Sequence, residues 1–306
     1  MRHFIDLAEW SSAEIRALVA LALELKAAWK HGGNAPLLKG KVLALVFQKP
    51  SLRTRVSFEV GMMQLGGTAI NLGPDEIGLG KRESVADIAR SLSAFTQGIM
   101  ARVFDHDHLT ELAHWGSVPV INGLSDTQHP CQALADVLTI HECFGSLDGV
   151  TVAFVGDANN VAFSLAQAVA HLGGHFRIAH PPGYGFSETR IDSVAAIAEA
   201  NGGSIALYEQ PQEAVHGAQV VYTDTWVSMG QEHESERRIR AMQPYQVNAA
   251  LLREASPNAI VMHCLPAHRG QEITDDVADG AQSVMFHQAE NRLHAQKAVL
   301  ATLLGG

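Results

Sequence analysis

Short runs rich in β-branched and other apolar residues alternate with longer amphipathic runs, and this alternation constrains the fold more than any other feature of the sequence. In the first half of the chain the short runs cover residues 41–47, 68–72, 98–104 and 118–122. In the second half they cover residues 150–156, 175–180, 204–208, 218–224 and 258–264. Strands that alternate with helices pair in parallel and carry helices on both faces of the sheet. The sequence therefore predicts an α/β fold made of two doubly wound parallel-sheet domains.

The two sets of strands are separated by one long predicted helix, HPCQALADVLTIHECFG, at residues 129–145. We place the domain boundary inside this helix, with a first domain at residues 1–140 and a second at residues 141–306. A total of 306 residues suits two domains, because single hydrophobic cores stop growing near roughly 250–300 residues. In open parallel sheets, ligands bind beyond the carboxyl ends of the strands. Polar clusters follow several of the predicted strands, and this pattern favours an enzyme.

The formal net charge of −10 limits the classes of partner. An acidic surface repels the phosphates of nucleic acids, so we expect no nucleic-acid partner. We also expect no membrane partner, since no run approaches the roughly 18–20 apolar residues that cross a bilayer. The first ten residues include Asp6 and Glu9, unlike a signal or transit peptide, and the three cysteines are odd in number without metal-type spacing. We therefore expect reduced thiols and a cytoplasmic location.

A dense group of cationic and hydroxyl residues, KPSLRTR, directly follows the first predicted strand. A helix that begins near Ser51 offers unpaired backbone N–H groups and a partial positive charge to an anion. Ser51 and Thr54 add hydroxyl donors, and the guanidinium of Arg53 matches phosphate oxygens. Arg55 is expected to pair with Glu59, four residues further on. The alternative is an ordinary capped helix with solvated arginines, but two arginines and two hydroxyls within one turn favour a phosphate site.

A second group of donors is predicted at the next strand end and at the start of the long helix. Arg102 ends a predicted strand, while His129 and Gln132 are three residues apart and share one helix face. Together these three side chains could polarise a single carbonyl oxygen. Alternatively, His129 caps a helix that begins at Pro130, which is a common helix start.

Five motifs in this sequence resemble those of aspartate and ornithine carbamoyltransferases. They are, in chain order, FQKPSLRTR, HPCQALAD, DTWVSMG, HCLPA and AENR. The first is similar to the carbamoyl phosphate signature S-x-R-T-R of that family, and the five together extend over essentially the whole chain. From these motifs the chain is identified as a member of the family.

The resemblance implies a set of residues for carbamoyl phosphate. These are Ser51, Leu52, Arg53, Thr54, Arg102, His129, Pro130, Cys131, Gln132, Cys264, Leu265 and Arg292. Among them, the residues expected to be catalytic are Arg53, Arg102, His129 and Cys264. We expect His129 to act as a hydrogen-bond donor and not as a general base. The resemblance also implies that the last helix, about residues 288–304, returns to the first domain and carries Arg292 there.

The motifs of the second half indicate which amine receives the carbamoyl group. GDANN, at residues 156–160, lacks the G-x-G-x-x-G fingerprint of dinucleotide sites, which argues against an oxidoreductase. By resemblance, the residues that bind ornithine are Asn160, Asp224, Ser228 and Met229. Aspartate-specific relatives lack DTWVSMG and carry a proline at the position of Cys264. These differences favour ornithine.

The resemblance thus implies transfer of the carbamoyl group of carbamoyl phosphate to the δ-amine of L-ornithine, giving L-citrulline and phosphate. Arginine biosynthesis is favoured over citrulline breakdown. Because carbamoyl phosphate is already activated, we expect no cofactor and no metal. A homotrimer or a multiple of it is expected from the family. The alternatives are a carbamoyltransferase for a related amine, such as putrescine or an acylated ornithine, and an inactive relative that serves as a binding subunit.

Two positions depart from common family patterns. Leu52 stands where many members have threonine, which removes a hydroxyl and leaves a backbone N–H. Gly78 falls where relatives often have a glutamine or histidine that reaches a neighbouring subunit's site. Lys81 or Arg82 is a candidate substitute for that side chain. Neither departure touches the acceptor motifs.

Overall fold

The computed structural model describes residues 1–227 and 232–305. The chain forms two compact units. The first consists of Met1–Leu138 together with Glu290–Gly306, and the second of Thr139–Ala289. Each unit contains one parallel sheet with helices, so the predicted α/β fold with two parallel-sheet domains is confirmed.

The first unit is built on a four-stranded parallel sheet with the order β2-β1-β3-β4. Its strands are β1 (Val42–Phe47), β2 (Thr68–Leu72), β3 (Gly98–Arg102) and β4 (Val120–Leu124). The helices that begin in this unit are α1 (Ser12–Lys30), α2 (Leu52–Gln64), α3 (Pro74–Ile77), α4 (Val85–Phe95), α5 (Asp107–Trp115) and α6 (Pro130–Phe144). A short 3₁₀ helix at Leu7–Glu9 precedes them. The central strands β1 and β3 are apolar and almost entirely buried, as expected of strands covered on both faces.

The second unit is built on a five-stranded parallel sheet with the order β7-β6-β5-β8-β9. Its strands are β5 (Thr151–Val155), β6 (His175–Ala179), β7 (Ser204–Tyr208), β8 (Val220–Thr223) and β9 (Ile260–His263). The remaining helices are α7 (Asn160–His171), α8 (Glu188–Asn201), α9 (Pro211–Val215), α10 (Ser235–Met242), α11 (Ala249–Leu252), α12 (Asp275–Ala278) and α13 (Met285–Leu304). Two 3₁₀ turns, Glu232–Glu234 and Gln243–Tyr245, flank α10. Helix α7 is buried from Val161 to His171, which explains its largely apolar sequence.

The last helix packs on the first unit, as predicted. Lys297 of α13 donates hydrogen bonds to Asn34 Oδ1 at 2.7 Å and to Gln64 Oε1 at 2.9 Å. Asn291 Oδ1 accepts from Lys26 Nζ at 2.7 Å, which ties α13 to α1. Because a buried lysine without partners would be costly, these bonds fix the place of the helix as well as satisfying its polar groups.

Helix α1 is 19 residues long but was not predicted from the sequence. Ser11 caps its start by accepting from Glu14 N, and the Glu14 side chain accepts from Ser11 N in return. This reciprocal capping box, S-x-x-E before an apolar run, was a readable signal in the sequence. The helix buries Ile15, Leu18 and Ala22, so it belongs to the core of the first unit.

Within the part of the chain that the structure describes, no helix combines the length and the apolar character that a membrane crossing requires.

Candidate active site

The first site lies where the strand order of the four-stranded sheet reverses. Strands β1 and β3 are neighbours, and Phe47 is in register with Arg102 at their carboxyl ends. The chain leaves β1 toward β2 on one side and continues from β3 to β4 on the other. Such a reversal opens a crevice in which open α/β sheets bind their ligands. The main chain of Gln48 donates to Arg102 O at 2.8 Å and holds the two strand ends together.

The KPSLRTR stretch turns from β1 into α2, as predicted. Ser51 is the N-cap of α2, and its Oγ accepts from Thr54 N at 3.3 Å and lies 3.1 Å from Thr54 Oγ1. No acidic residue occupies the first turn, so the positive end of the helix dipole is available to an anion. Arg55 pairs with Glu59 at 3.0 Å, which confirms that prediction. Leu52 is exposed and supplies no polar side-chain group.

Arg292 brings three helices of the first unit together. Its guanidinium donates through Nη2 to Thr54 Oγ1 at 3.0 Å and through Nη1 to Gln132 Oε1 at 2.7 Å. Gln132 in turn donates through Nε2 to Asp136 Oδ1 at 2.8 Å. All four side chains are buried. Residues that are 238 positions apart in the sequence therefore share one hydrogen-bonded cluster at the start of α2.

His129 is buried next to the hydrogen-bonded cluster, and four cationic side chains act on it. Burial lowers the pKa of its imidazole well below the usual value, and the charges of Arg292, Arg102, Lys49 and Arg53 lower it further. An imidazole in this environment is neutral at pH 7, and a neutral ring donates a hydrogen bond through one nitrogen. It is a poor base, which supports the predicted role as a donor.

Lys49 is one of the four cations near His129. It was not among the site residues predicted from the sequence. Its side chain is buried, and Nζ lies 4.7 Å from the centre of the Phe104 ring. Burial and, to a smaller extent, the charge of Arg102 lower the pKa of Lys49 to about 8, and Asp126 opposes the shift. The sequence signal that could have assigned Lys49 to the site is its position, two residues before Ser51 in the KPSLRTR stretch.

The two remaining residues predicted at the start of α6 are Pro130 and Cys131. Pro130 is the first residue of α6, and Cys131 is completely buried. The thiol of Cys131 donates to Asn122 O at 3.3 Å, and burial raises its pKa to about 12. Because this thiol is buried and hydrogen-bonded to the main chain of β4, a ligand would contact the main chain of Cys131 and not its side chain.

Gly78 ends the short helix α3 in the left-handed conformation, with a φ of 55°. A Cβ atom at this position would lie 2.8 Å from Cβ of Arg82. The local turn therefore requires glycine here, whatever larger side chain relatives carry. Lys81 and Arg82 follow in the same turn and are exposed.

The second site lies at the carboxyl ends of three adjacent strands in the second unit. Val155 of β5 pairs with Thr223 of β8, and Thr223 pairs with His263 of β9. The residues that follow these three positions, Asp224 and Cys264 among them, consequently emerge side by side. The strand order of this sheet also reverses between β5 and β8, so this is again the place where a ligand is expected.

Asp224 is the centre of the second site. Its Oδ1 accepts from Cys264 Sγ at 3.0 Å, and its Oδ2 accepts from Asn159 Nδ2 at 2.8 Å. Asn159 Oδ1 also accepts from the N–H groups of Val161 and Ala162. The Asn159 side chain therefore caps α7 and also orients the Asp224 carboxylate. Asn159 was not among the residues predicted from the sequence, whereas its neighbour Asn160 was. Asn160 is the first residue of α7 and is half-buried.

A buried histidine holds the main chain around Cys264. His263 Nδ1 accepts from Leu265 N at 2.9 Å, and its Nε2 lies 3.2 Å from Glu272 Oε1. The tautomer is therefore fixed, with the proton on Nε2 and directed at the carboxylate. Leu265 has a φ of 58°, an uncommon conformation for a side chain of this kind. The hydrogen bond to His263 stabilises that turn and with it the position of Cys264 beside Asp224.

Asp224, His263 and Cys264 also form a possible metal-binding group, since their ligand atoms lie within 4.8 Å of one another. Both nitrogens of His263 are engaged, however, by Leu265 and Glu272. A metal ion would have to break one of these bonds to gain the imidazole as a ligand. The hydrogen bonds of His263 therefore count against a metal centre, and the expected absence of a metal stays a prediction.

Ser228 and Met229, which the sequence analysis assigned to the acceptor, lie outside the described residues.

One parallel α/β unit thus has a capped helix start among buried cations, which suits an enzyme that binds an anionic substrate, and the other has an acid–thiol pair at its strand ends. Family models agree with this division. Residues 2–142 match the carbamoyl-P binding domain of aspartate/ornithine carbamoyltransferase, and residues 148–303 match its Asp/Orn binding domain.

Full-length proteins are similar to this chain as well. An ornithine carbamoyltransferase of Pyrococcus abyssi is 52% identical over 305 residues, which cover 100% of this chain and 96% of that protein. The solved structure of an ornithine carbamoyltransferase from Pyrococcus furiosus has a TM-score of 0.97 at 50% identity, covering 100% of this chain and 97% of that one. That of an anabolic ornithine carbamoyltransferase from Campylobacter jejuni has a TM-score of 0.93 at 39% identity, covering 99% of each chain. The chain belongs to the aspartate/ornithine carbamoyltransferase family.

Proposed function

We infer that this chain transfers the carbamoyl group of carbamoyl phosphate to the δ-amine of L-ornithine and releases L-citrulline and phosphate. The observation that carries this inference is the contact of 3.0 Å between Cys264 Sγ and Asp224 Oδ1. It joins the two acceptor motifs, DTW and HCLP, that differ between ornithine-specific and aspartate-specific members. The names of the full-length relatives support the same substrate pair.

The first unit binds carbamoyl phosphate in this proposal. The phosphate lies at the start of α2, where backbone N–H groups, Ser51, Thr54 and the guanidinium of Arg53 donate to its oxygens. The buried position of Thr54 and its bond to Arg292 keep the hydroxyl in place. Four neighbouring cations offset the charge of a dianion in a chain that is acidic overall.

Arg102, His129 and Gln132 polarise the carbonyl oxygen. Gln132 is oriented by Arg292 on its amide oxygen and by Asp136 on one amide hydrogen, which leaves its second N–H to donate. Attack on the carbonyl carbon develops an oxyanion, and each preorganised donor lowers that barrier by roughly 3–4 kcal/mol in favourable sites.

The nucleophile is the uncharged δ-amine. A protonated amine cannot attack, and an amine with a pKa near ~10.4 requires roughly 4.6 kcal/mol to lose its proton at pH 7. In this proposal Asp224 holds the α-ammonium group and Asn160 the α-carboxylate, with Ser228 and Met229 completing the site. The amine then forms the C–N bond, the C–O bond to phosphate breaks, and the amine gives up its extra proton. Because deprotonation precedes attack, the rate should rise with pH above 7.

We further propose that the enzyme works in the biosynthetic direction, in line with the anabolic relative from Campylobacter jejuni. A homotrimer or a multiple of it is proposed from the family resemblance. Support comes from the exposed side of α2, where Leu52, Val56 and Met63 are 74%, 45% and 71% exposed beside the Arg55–Glu59 ion pair. The three cysteines are thiols, which fits a cytoplasmic location.

The substrate assignment is tested by comparing amines. Citrulline formation should proceed with ornithine and should be at least a hundredfold faster, as kcat/KM, than carbamoyl transfer to putrescine or to N-acetylornithine, since both lack a charged group that the site is built to hold. Preference for either of the other amines would refute the assignment. Tight binding of carbamoyl phosphate and ornithine without turnover would favour an inactive binding subunit instead.

Carbamoyl phosphate binding is expected to weaken as the pH rises past about 8, because Lys49 is cationic below its pKa of about 8 and neutral above it. At saturating ornithine, kcat/KM for carbamoyl phosphate should fall beyond that point and level off once Lys49 is neutral, because the neighbouring arginines keep their charge. Arginine keeps its charge throughout this range, so Lys49→Arg should remove the fall. A decline of equal steepness in both proteins would show that Lys49 is not its cause.

A further inference from the structure

A buried ion pair lies next to the acceptor site and is not part of the chemistry described above. Arg238 of α10 donates through Nη1 to Asp157 Oδ2 at 2.8 Å. The two side chains are only 10% and 15% exposed. Arg238 also bonds to Glu234 at 3.2 Å and lies 5.3 Å from the ring centre of Tyr184. A guanidinium held on three sides in this way has one fixed position, so its charge is fixed in space too.

Asp157 is linked to Asp224 through a single residue. Asn159 N donates to the main-chain oxygen of Asp157 at 2.8 Å, and Asn159 Nδ2 donates to Asp224 Oδ2 at 2.8 Å. Burial raises the pKa of the Asp157 carboxyl, Arg238 opposes the rise, and the charge of Asp224 adds to it. The two carboxylates are thus close enough to repel each other.

Two negative charges at the acceptor site would hinder the reaction. An anion near an amine stabilises the ammonium form, and the ammonium form has no lone pair with which to attack. Asp224 is needed to hold the substrate, but Asp157 is not aimed at it; its Oδ2 is turned to Arg238. Any charge left on Asp157 would therefore favour the unreactive form of ornithine without adding a contact.

We propose that Arg238 is a positioning residue that cancels the charge of Asp157, so that bound ornithine reaches its uncharged, nucleophilic form at lower pH. This inference rests on the proposed function. Three nearby groups stay in place in the test. His180 acts on Asp157, Glu234 bonds to Arg238 with a side chain that is 39% exposed, and the Cys264 thiol bonds to Asp224. None of them replaces a cation that contacts Asp157 directly.

The test compares Arg238→Gln, Asp157→Asn and the double variant by the pH dependence of kcat at saturating substrates. Arg238→Gln leaves Asp157 as an extra anion, so the midpoint of the acidic limb should move up by about half to one pH unit. Asp157→Asn leaves Arg238 as an extra cation, so the midpoint should move down by a similar amount. The double variant removes both charges and should lie within about 0.2 units of the parent.

Opposite signs separate this electrostatic role from a structural one, because a merely structural pair would lower activity in both single variants without moving the midpoint in opposite directions. Arg240→Gln is the matched control: Arg240 is on the same helix and pairs with Glu236, but both are exposed, so no shift is expected. If Arg238→Gln fails to fold, the downward shift of Asp157→Asn and its reversal in the double variant carry the test.

Shifts of the same sign, or none, in the two single variants would overturn the inference while the parent still forms citrulline. No citrulline from the parent would refute the proposed function and the inference with it. KM for carbamoyl phosphate should stay within about twofold of the parent in all variants, since the pair belongs to the second unit.

Discussion

Replacing Arg53 by alanine is expected to lower kcat/KM for carbamoyl phosphate by about a thousandfold, because the site loses a charged, planar donor to the phosphate. Arg53 stands in the first turn of α2, two residues after the Ser51 cap, and its charge acts on the buried His129. The loss should appear in both KM and kcat, since the same cation holds the substrate and stabilises the departing phosphate. Initial rates of citrulline formation with varied carbamoyl phosphate at saturating ornithine measure it.

Arg55 provides the matched control for that experiment. It lies on the same turn of α2, carries the same charge and pairs with Glu59 on the exposed side of the helix. Alanine at Arg55 should therefore change kcat/KM by no more than about threefold, the size expected for an exposed ion pair. If the Arg53→Ala variant forms citrulline at the parent rate under limiting carbamoyl phosphate, the phosphate does not bind at the start of α2.

Those parts of the fold and site that depend on local pattern could be predicted from the sequence. Buried parallel strands are short, continuous apolar runs, and the nine predicted runs match, within a few residues, the nine strands found in the described parts of the chain. Because polar residues lie at or just after the ends of β1, β3, β8 and β9, the strand-end rule indicated where ligands bind and supported Arg102 as a donor. Asp224 and Cys264 were selected by the resemblance. The resemblance added Arg292, which no local pattern connects to Thr54.

The residues that escaped prediction owe their roles to tertiary contacts. Asn159 and Asn160 are adjacent and chemically identical, and only the fold shows that Asn159 reaches Asp224. The sequence does not show that Lys49 is buried, and only the structure reveals its burial and its contact with the Phe104 ring. Helix α1 differs, since its capping box was visible in the sequence. The capping box at Ser11 and Glu14 was sufficient to predict the start of this helix.

Replacing Asp224 by asparagine is expected to raise KM for ornithine by about a hundredfold, since a charge-assisted hydrogen bond contributes about 1.5–3 kcal/mol. Asparagine has the shape of aspartate and can still accept from Asn159, so the fold should be kept while the negative charge is lost. KM for carbamoyl phosphate should stay close to the parent value, because that substrate is assigned to the first unit. Saturation curves for each substrate, with the other held in excess, separate the two effects.

Asp276→Asn is the control for that variant. Asp276 is an exposed carboxylate in the first turn of α12, so its loss removes the same charge from the second unit outside the acceptor site. Equal increases in KM for ornithine in both variants would mean that the total charge of the unit matters and not the contact at Asp224. A hundredfold increase confined to Asp224→Asn, with thermal unfolding unchanged, would instead locate the α-ammonium group of ornithine at the carboxylate that Cys264 and Asn159 hold in place.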